Sequence, residues 1–534
     1  MKVVYDIIVN VLIIVRKDVI ILKRLPLGVK SIEELLNNDY LYLDKTMYYE
    51  KLINEGKYFF LSRPRRFGKT LFISTLKEIF KGNKELFKDQ WIYTNYEFEK
   101  HPIIHLDFNE INHKQDINKF EESLNNRLKS IAKIYDVNLR ANSSKDIFVE
   151  LIEKLGEINK VVILIDEYDK PIMDYIGDLK KANENKEFIA SFYETIKAKG
   201  EYLRFVLLTG VTKVSKTSVF SKLNNLTDIS RNTRYSAMLG ITEEELYTVF
   251  EKYMYKAIEE MNLPMDELKE KLKKWYNGYS WDTKNKVYNP YSILSFFNEY
   301  KFDNYWFQTG TPTFLLDIMK KTEYILPSIE EITVGSYIFS EFDLEYMDIT
   351  SLLFQTGYLT IKDIKIKRNM ESFYTLGIPN YEVRSALFDR ILQMYTDESV
   401  SKVKPPYSRM IDYLEEKKLE KFINELQTSF AQIPYTIYPK KEDYYHSIFF
   451  LMMNLIGAKI ETEVLTDKGR IDGVLEFDDF IYIIEFKIGN AKEGIDQIKQ
   501  RKYYQKYQMA NKQLILLSVG GFKEKNIEYI VEEM

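Results

Sequence analysis

The chain has 534 residues, enough for about three domains at roughly 150 residues each. Its 76 Lys and Arg against 80 Asp and Glu leave a net charge of −4. That balance excludes nucleic-acid binding through bulk charge and leaves only a local basic face for such contact. The absence of cysteine excludes disulfides, thiolate zinc sites and cysteine nucleophiles, and four histidines argue against a His-rich metal centre.

In chain order, the first apolar stretch is Ile7 to Val15, interrupted by Asn10 and stopped by Arg16, Lys17 and Asp18. It falls short of the roughly 20 apolar residues of a membrane span, and no small-residue cleavage site follows. Residues 1–24 therefore read as a strand or an upstream extension on a cytoplasmic protein that does not enter a membrane. From 57 to 240, short β-type runs alternate with helical stretches, predicting a parallel α/β domain over 25–240. Its strand candidates are Tyr58 to Leu61, Ile103 to Leu106, Val161 to Ile165 and Phe205 to Leu208.

Residues 241–404 read as mostly helical, opening on the capping signal Thr242-Glu243-Glu244-Glu245. Leu352 to Ile361 and Phe373 to Arg384 have the helix-then-strands flavour of a winged helix. The aromatic pieces Trp275 to Tyr279 and Asn304 to Phe307 read as core or interdomain packing. Pro405-Pro406 marks the linker into a last domain, 405–534: a helical stretch, an amphipathic helix from Tyr444 to Leu455, a β-hairpin and a further helix.

Between the first strand candidate and a helix from Leu71 to Phe80 lies Ser62-Arg63-Pro64-Arg65-Arg66-Phe67-Gly68-Lys69-Thr70. A strand, tight turn and helix in this order gather backbone N–H groups and a helix N-terminus around one point, which binds phosphate. Lys69 would reach the β- and γ-phosphates of ATP, and the Thr70 hydroxyl would hold Mg²⁺. The full pattern wants glycine where Arg63 stands, so the first turn must be built differently. Arg63, Arg65 and Arg66 are candidates for phosphate contacts or for facing a partner. Val161 to Ile165 is a continuous β-branched and apolar run, as in a strand buried on both faces. It ends in Asp166-Glu167 at the carboxyl edge where open α/β sheets bind ligands. Asp166 would complete the Mg²⁺ shell and Glu167 would polarise the attacking water. Thr209, ending the next strand candidate, is either a γ-phosphate sensor or a structural strand-end hydroxyl.

LYLDKT at 41–46, SRPRRFGKT at 62–70, LIDEYDKP at 164–171 and LTGV at 208–211 resemble the AAA-ATPase-like family, which is bacterial and widespread. The resemblance covers nearly all of the chain after residue 24, and the family pattern shares Arg63. It implies a RecA-like P-loop ATPase core with five parallel strands. Members of the family often end in a PD-(D/E)xK nuclease-like domain.

The C-terminal hairpin can be argued from its own spacing. Arg470 to Phe477 and Phe480 to Lys487 read as strands turning at Asp478-Asp479, so that residue i opposes 957 − i and Asp472 faces Glu485. Opposed side chains sit about 5 Å apart at Cβ, and two carboxylates there repel unless a cation lies between them. Mg²⁺ suits one or two carboxylates plus waters and phosphate oxygens. Ile481, Ile483, Glu485 and Lys487 share one face, and Lys487 could position water and stabilise charge on a cleaved phosphodiester. Glu442 and His446 share a helix face, Glu442 as a candidate third acid; His446 more often packs or hydrogen-bonds. Gln497 and Tyr504, seven apart, are placed on one face of the following helix, where Lys499, Arg501, Lys502 and Lys506 form a modest basic surface. Asp472, Glu485-Phe486-Lys487 and Gln497 resemble the PD-(D/E)xK superfamily, with Ile471 in place of the proline.

Together these patterns lead to an ATP-dependent, Mg²⁺-dependent nuclease-like enzyme acting on DNA or RNA. The alternative is a nucleotide-controlled switch that grips nucleic acid without cutting. A homo-oligomer is compatible with either, and Arg231 and Arg234 are candidates for reaching a neighbouring subunit's nucleotide or for surface ion pairs.

Overall fold

The computed structural model describes residues 22–214, 225–308, 331–339, 348–368, 370–396, 409–431, 460–466, 469–522 and 526–534. The chain divides into two compact units, one of Met1–Thr309 with Val334–Thr375 and one of Gly310–Thr333 with Leu376–Met534.

The first unit is built on strands β1 (Tyr58–Ser62), β2 (Ile103–Asp107), β3 (Val161–Asp166), β4 (Leu203–Gly210) and β5 (Thr227–Asp228). They lie in the order β2-β3-β4-β1-β5, and every pairing is parallel. A parallel sheet needs crossovers that cover both faces, and the sequence supplies apolar side chains for both. Phe59 and Leu61, Val162 and Leu164, Phe205 and Leu207 alternate along their strands into one core with Phe72, Ile73 and Leu76 of the helix Lys69–Phe80. Their neighbours Phe60, Ile163, Ile165, Val206 and Leu208 are equally buried on the other side. Register sets Asp107 level with Asp166 and Leu61 level with Thr209, so the polar residues line up along the carboxyl edge.

After β4 the chain becomes helical. Thr242 caps the helix Glu243–Val249 through a reciprocal box: Thr242 Oγ1 accepts from the Glu245 N–H and Glu245 accepts from the Thr242 N–H. Helices Glu251–Met261, Met265–Tyr276 and Pro290–Glu299 close a second core around Phe250, Leu272, Tyr276 and Phe296. β6 (Ile241–Thr242) and β7 (Val287–Tyr288) form a short antiparallel pair. The region is not wholly helical: β8 (Ile332–Gly335), β9 (Thr360–Ile366) and β10 (Ser372–Gly377) make a three-stranded sheet in the order β8-β10-β9, with the helix Ile349–Thr356 before β9.

The second unit holds β11 (Ile460–Thr466), β12 (Gly469–Glu476), β13 (Phe480–Phe486), β14 (Gln513–Gly520) and β15 (Glu528–Glu533), in that order across the sheet. All pairs are antiparallel except β13 and β14, which are parallel and joined by the helix Ala491–Arg501. Asn490 starts that helix by accepting from the Glu493 N–H, and Lys502 stops it in a left-handed conformation. The hairpin of the sequence reading is thus the centre of a larger sheet. Among the described residues, no helix is long and apolar enough to cross a membrane.

Candidate active sites

The loop between β1 and its helix passes through positive φ at Arg66 (67°) and Gly68 (90°). A Cβ added at Gly68 would meet nothing within 4 Å, so backbone conformation rather than space calls for glycine there. No side chain caps the helix at Gly68, which leaves the first-turn N–H groups facing the loop. Lys69 is 4% exposed; its Nζ donates to the carbonyls of Arg63 (3.0 Å) and Pro64 (3.3 Å) and pairs with Glu167 at 3.5 Å. Asp166 accepts from Thr70 Oγ1 on one carboxylate oxygen (2.8 Å) and from Thr209 Oγ1 on the other (2.6 Å). Burial, and next the charge of Glu167, push the Asp166 carboxyl up to about 6. Glu167 leaves the strand through a left-handed residue (φ 53°), which turns its side chain toward Lys69. Gly68, Lys69, Thr70, Asp166, Glu167 and Thr209 therefore converge on one carboxyl edge.

The three arginines part company. Arg63 is 1% exposed and points inward, with Nη1 donating to Ser62 O (2.9 Å) and Ser230 O (2.6 Å) and its guanidinium 3.9 Å from the Trp281 ring centre. Its N–H donates to Gly210 O at 3.1 Å, which extends the β1–β4 pairing one residue into the loop at the position where the full pattern has glycine. Arg65 and Arg66 stay exposed, the latter over the Tyr291 ring at 4.8 Å.

An aromatic bracket holds the loop from outside. Phe67 lies edge-on to Tyr279 (4.9 Å) and Trp281 (5.4 Å), and Trp306 Nε1 donates to Arg65 O at 3.0 Å. Gly357, at φ 94°, lets the chain pass so close to Pro64 that a Cβ would come within 2.7 Å of its ring. Of the aromatic pieces read as packing, Tyr279 and Trp306 pack against this loop, whereas Trp275 and Tyr276 pack on Phe302 in the helical core. Arg234 makes a surface ion pair with Glu55 at 3.0 Å, whereas Arg231 lies over the rings of Phe339 (3.7 Å) and Tyr374 (4.8 Å).

In the second unit, β12 and β13 pair Gly473 with Ile484 and Glu476 with Ile481, the register in which indices sum to 957. One step further brings Asp472 beside Glu485. Asp472 Oδ2 accepts from the Phe486 N–H at 2.9 Å. Glu485 is wholly buried; its Oε2 accepts from Gln497 Nε2 (3.1 Å) and lies 3.5 Å from Lys487 Nζ. Among the described residues its Oε1 has no hydrogen-bond partner. Burial first, then the Asp472 carboxyl, push Glu485 up to about 9 against the opposing pull of Lys487. Both faces of β13 are buried, which closes Glu485 off from solvent while Asp472 and Lys487 stay half-buried beside it.

A family model described as "Predicted AAA-ATPase" matches residues 26–220, and one described as "PD-(D/E)XK nuclease superfamily" matches residues 440–532. A protein of Azotobacter chroococcum mcd 1, described as an uncharacterized protein in the vnfD 5' region, is 34% identical over 533 residues, covering 96% of this chain and 99% of its own. The chain belongs to the AAA-ATPase-like family and ends in a PD-(D/E)XK nuclease-superfamily domain. No solved structure matches it.

Within this AAA-ATPase-like chain, other expected residues fall differently. Glu442, His446 and the helix from Tyr444 to Leu455 lie outside the described residues. Gln497 and Tyr504 do not share a helix face: the α-helix ends at Arg501, the left-handed Lys502 breaks the repeat, and a 3-10 turn begins at Tyr503. It is the buried Tyr503 whose hydroxyl meets Gln497 Nε2, at 3.4 Å. The basic surface is partly neutralised, since Lys499 pairs with Glu532 at 2.6 Å. Among the described residues no group of three or more His, Asp or Glu converges as metal ligands. Sequence reasoning missed Asp169, which is 2% exposed and accepts from the N–H groups of Val211 and Thr212 and from Thr212 Oγ1. Its signal was there, three residues after Asp166 in LIDEYDKP.

Proposed function

We propose that the chain is an ATP-hydrolysing enzyme whose nucleotide state governs a Mg²⁺-dependent nuclease-like site acting on DNA or RNA. The observation that carries the nucleotide half is the convergence on Asp166 of Thr70 from the loop and Thr209 from β4, with Lys69 against Glu167. Lys69 and the uncapped helix N-terminus would bind the triphosphate, with the exposed Arg65 and Arg66 at the loop's outer side. Thr70 and Asp166 would hold Mg²⁺, and Glu167 would accept the proton of the attacking water. The strand order β2-β3-β4-β1-β5 supports a RecA-like core, and the helix Ile349–Thr356 with its three-stranded sheet supports a winged-helix reading of the middle region.

For the second half, the donor set fits a divalent cation. A buried carboxylate oxygen without a partner beside a second carboxylate is what a cation would satisfy. Asp472 and Glu485 would hold Mg²⁺, which when bound supplies an acidified water and neutralises phosphate charge. Gln497, itself steadied by Tyr503, orients Glu485. Lys487 is 16% exposed at its side chain and keeps a cation beside the acids for the phosphodiester.

The test is cleavage of single- and double-stranded DNA and RNA with Mg²⁺ or Mn²⁺, with and without ATP. Wild type should cut, Asp472→Ala and Glu485→Ala should not, and both should keep ATP turnover. Lys69→Ala should lose ATP binding. A wild type that binds nucleic acid in an ATP-dependent way but cuts none of the substrates would replace this reading with the non-cutting switch.

A further inference from the structure

Beyond β4 the chain runs through Thr209, Gly210, Val211, Thr212 and Lys213, and the hold on this segment comes from two sides. On the pocket side, Asp169 takes the N–H groups of Val211 and Thr212, and Tyr168 Oη donates to Thr212 O at 2.9 Å and accepts from Val214 N–H at 3.0 Å. On the other side stands the helix Ile349–Thr356. Gln355, 8% exposed, accepts the Lys213 N–H on Oε1 at 2.7 Å. Its Nε2 donates to Ser351 Oγ at 3.1 Å, and Ser351 Oγ donates to Ile338 O at 2.9 Å. A side-chain amide used on both ends and buried has a fixed orientation, because rotating it would unmake two bonds in a site closed to water.

The same helix also meets the phosphate loop. It ends in Gly357, packed against Pro64, and Tyr358 stacks edge-on to Trp306 at 5.4 Å, the ring whose N–H holds Arg65 O. One element thus contacts both segments that would embrace the triphosphate: the loop at 63–66 and the strand end at 209–213. Thr209 and Thr70 meet at Asp166.

We infer that Gln355 is a positioning residue for the nucleotide site, acting through the Lys213 backbone on Thr209 and hence on Asp166; this rests on the ATPase reading above. Its two side-chain bonds go to the Lys213 N–H and to Ser351 Oγ, so its influence on the site runs through the backbone. A displacement of the helix Ile349–Thr356 would move the β4 end through Gln355, and a change at the β4 end would reach Ser351 and Ile338 by the same bonds. Because the bonds fix orientation and not phosphate affinity, hydrolysis should respond while binding does not.

The experiment compares Gln355→Leu and Ser351→Ala with wild type in the full chain. Without nucleotide, hydrogen–deuterium exchange of peptides spanning 209–214 should quicken about fivefold in Gln355→Leu, the factor one lost hydrogen bond carries. Ser351→Ala, which breaks the chain of bonds two links from the pocket, should quicken it about twofold. With MgATP, kcat should fall by roughly the same factors while the ATP Kd stays within about twofold. Unchanged exchange at 209–214 in both variants overturns the inference, as does a parallel loss of kcat and ATP affinity. If Gln355→Leu does not fold, Ser351→Ala decides alone. A wild type that fails to bind ATP in the same titration defeats the pocket reading separately, while the exchange measurement still decides the hold of Gln355 on Lys213.

Discussion

Gly494 offers the sharpest quantitative test of the nuclease-like site. It lies in the helix Ala491–Arg501, one turn before Gln497, where the helix backbone rests on β13 and β14. A Cβ there would stand 2.2 Å from Ser518 Oγ and 3.2 Å from both Ser518 Cβ and Glu485 Cβ. On a free helix surface, Gly494→Ala would gain about 1 kcal/mol from propensity alone. Here overpacking costs about 1–3 kcal/mol, and lifting the helix also weakens the bond from Gln497 to Glu485, for about 1–2 kcal/mol more. The net expectation is a loss of about 1–4 kcal/mol in the second unit, together with most of the cleavage proposed for that site. Ser518 Oγ is buried with no hydrogen-bond partner among the described residues. Ser518→Ala should therefore be neutral or stabilising by up to about 1 kcal/mol. In the double variant the closest contact disappears, so the loss should shrink to within about 1 kcal/mol of Ser518→Ala. Calorimetry of the full chain, with hydrogen exchange of peptides spanning 480–520 to identify the transition, reads all four corners of the cycle. Additive effects, or a Gly494→Ala as stable as wild type, would refute the argument that close helix approach sets the Gln497–Glu485 contact.

Other expectations follow from the first unit. Burial, reinforced by Lys77 and Arg127, holds His105 on β2 down to about 4. The folded state thus keeps His105 neutral while the unfolded chain protonates near 6.5, so stability is lost as pH falls from about 6.5 to about 4, by at most about 3 kcal/mol. Urea midpoints at pH 7, 5.5 and 4 should show a shallower decline in His105→Asn, and identical pH profiles would contradict it. Trp306→Phe keeps a ring in the bracket but deletes the donor to Arg65 O; ATP affinity should weaken about fivefold, and an unchanged Kd in a titration would mean that this bond does not hold the loop.

Legibility differed residue by residue. The β3 run could be read because both faces are buried, leaving no polar alternation to confuse it, and its acidic end then falls at the sheet's carboxyl edge by topology. The hairpin register followed from the turn at Asp478-Asp479, since strand period two leaves little freedom once a turn is fixed. Tyr503 could not be reached by helical counting, because the left-handed Lys502 resets the phase and moves Tyr504 off the face of Gln497. β14, a run from Leu514 to Val519 that is apolar but for Ser518, carries no charged motif to mark it in the sequence, yet its parallel pairing makes β13 a central strand and so buries Glu485.

Local chemistry alone determined that residues 62–70 form a tight strand-to-helix loop, that Asp166-Glu167 close a buried strand, and that Asp472 opposes Glu485. These depend on short-range spacing and on the fixed periods of strand and helix. Only tertiary structure decided that Arg63 turns inward to Trp281 and Ser230, that Gln355 holds Lys213, and that Gly494 admits a helix onto Ser518. Each of those joins residues far apart in the chain, where burial and close packing, not periodicity, choose the partner.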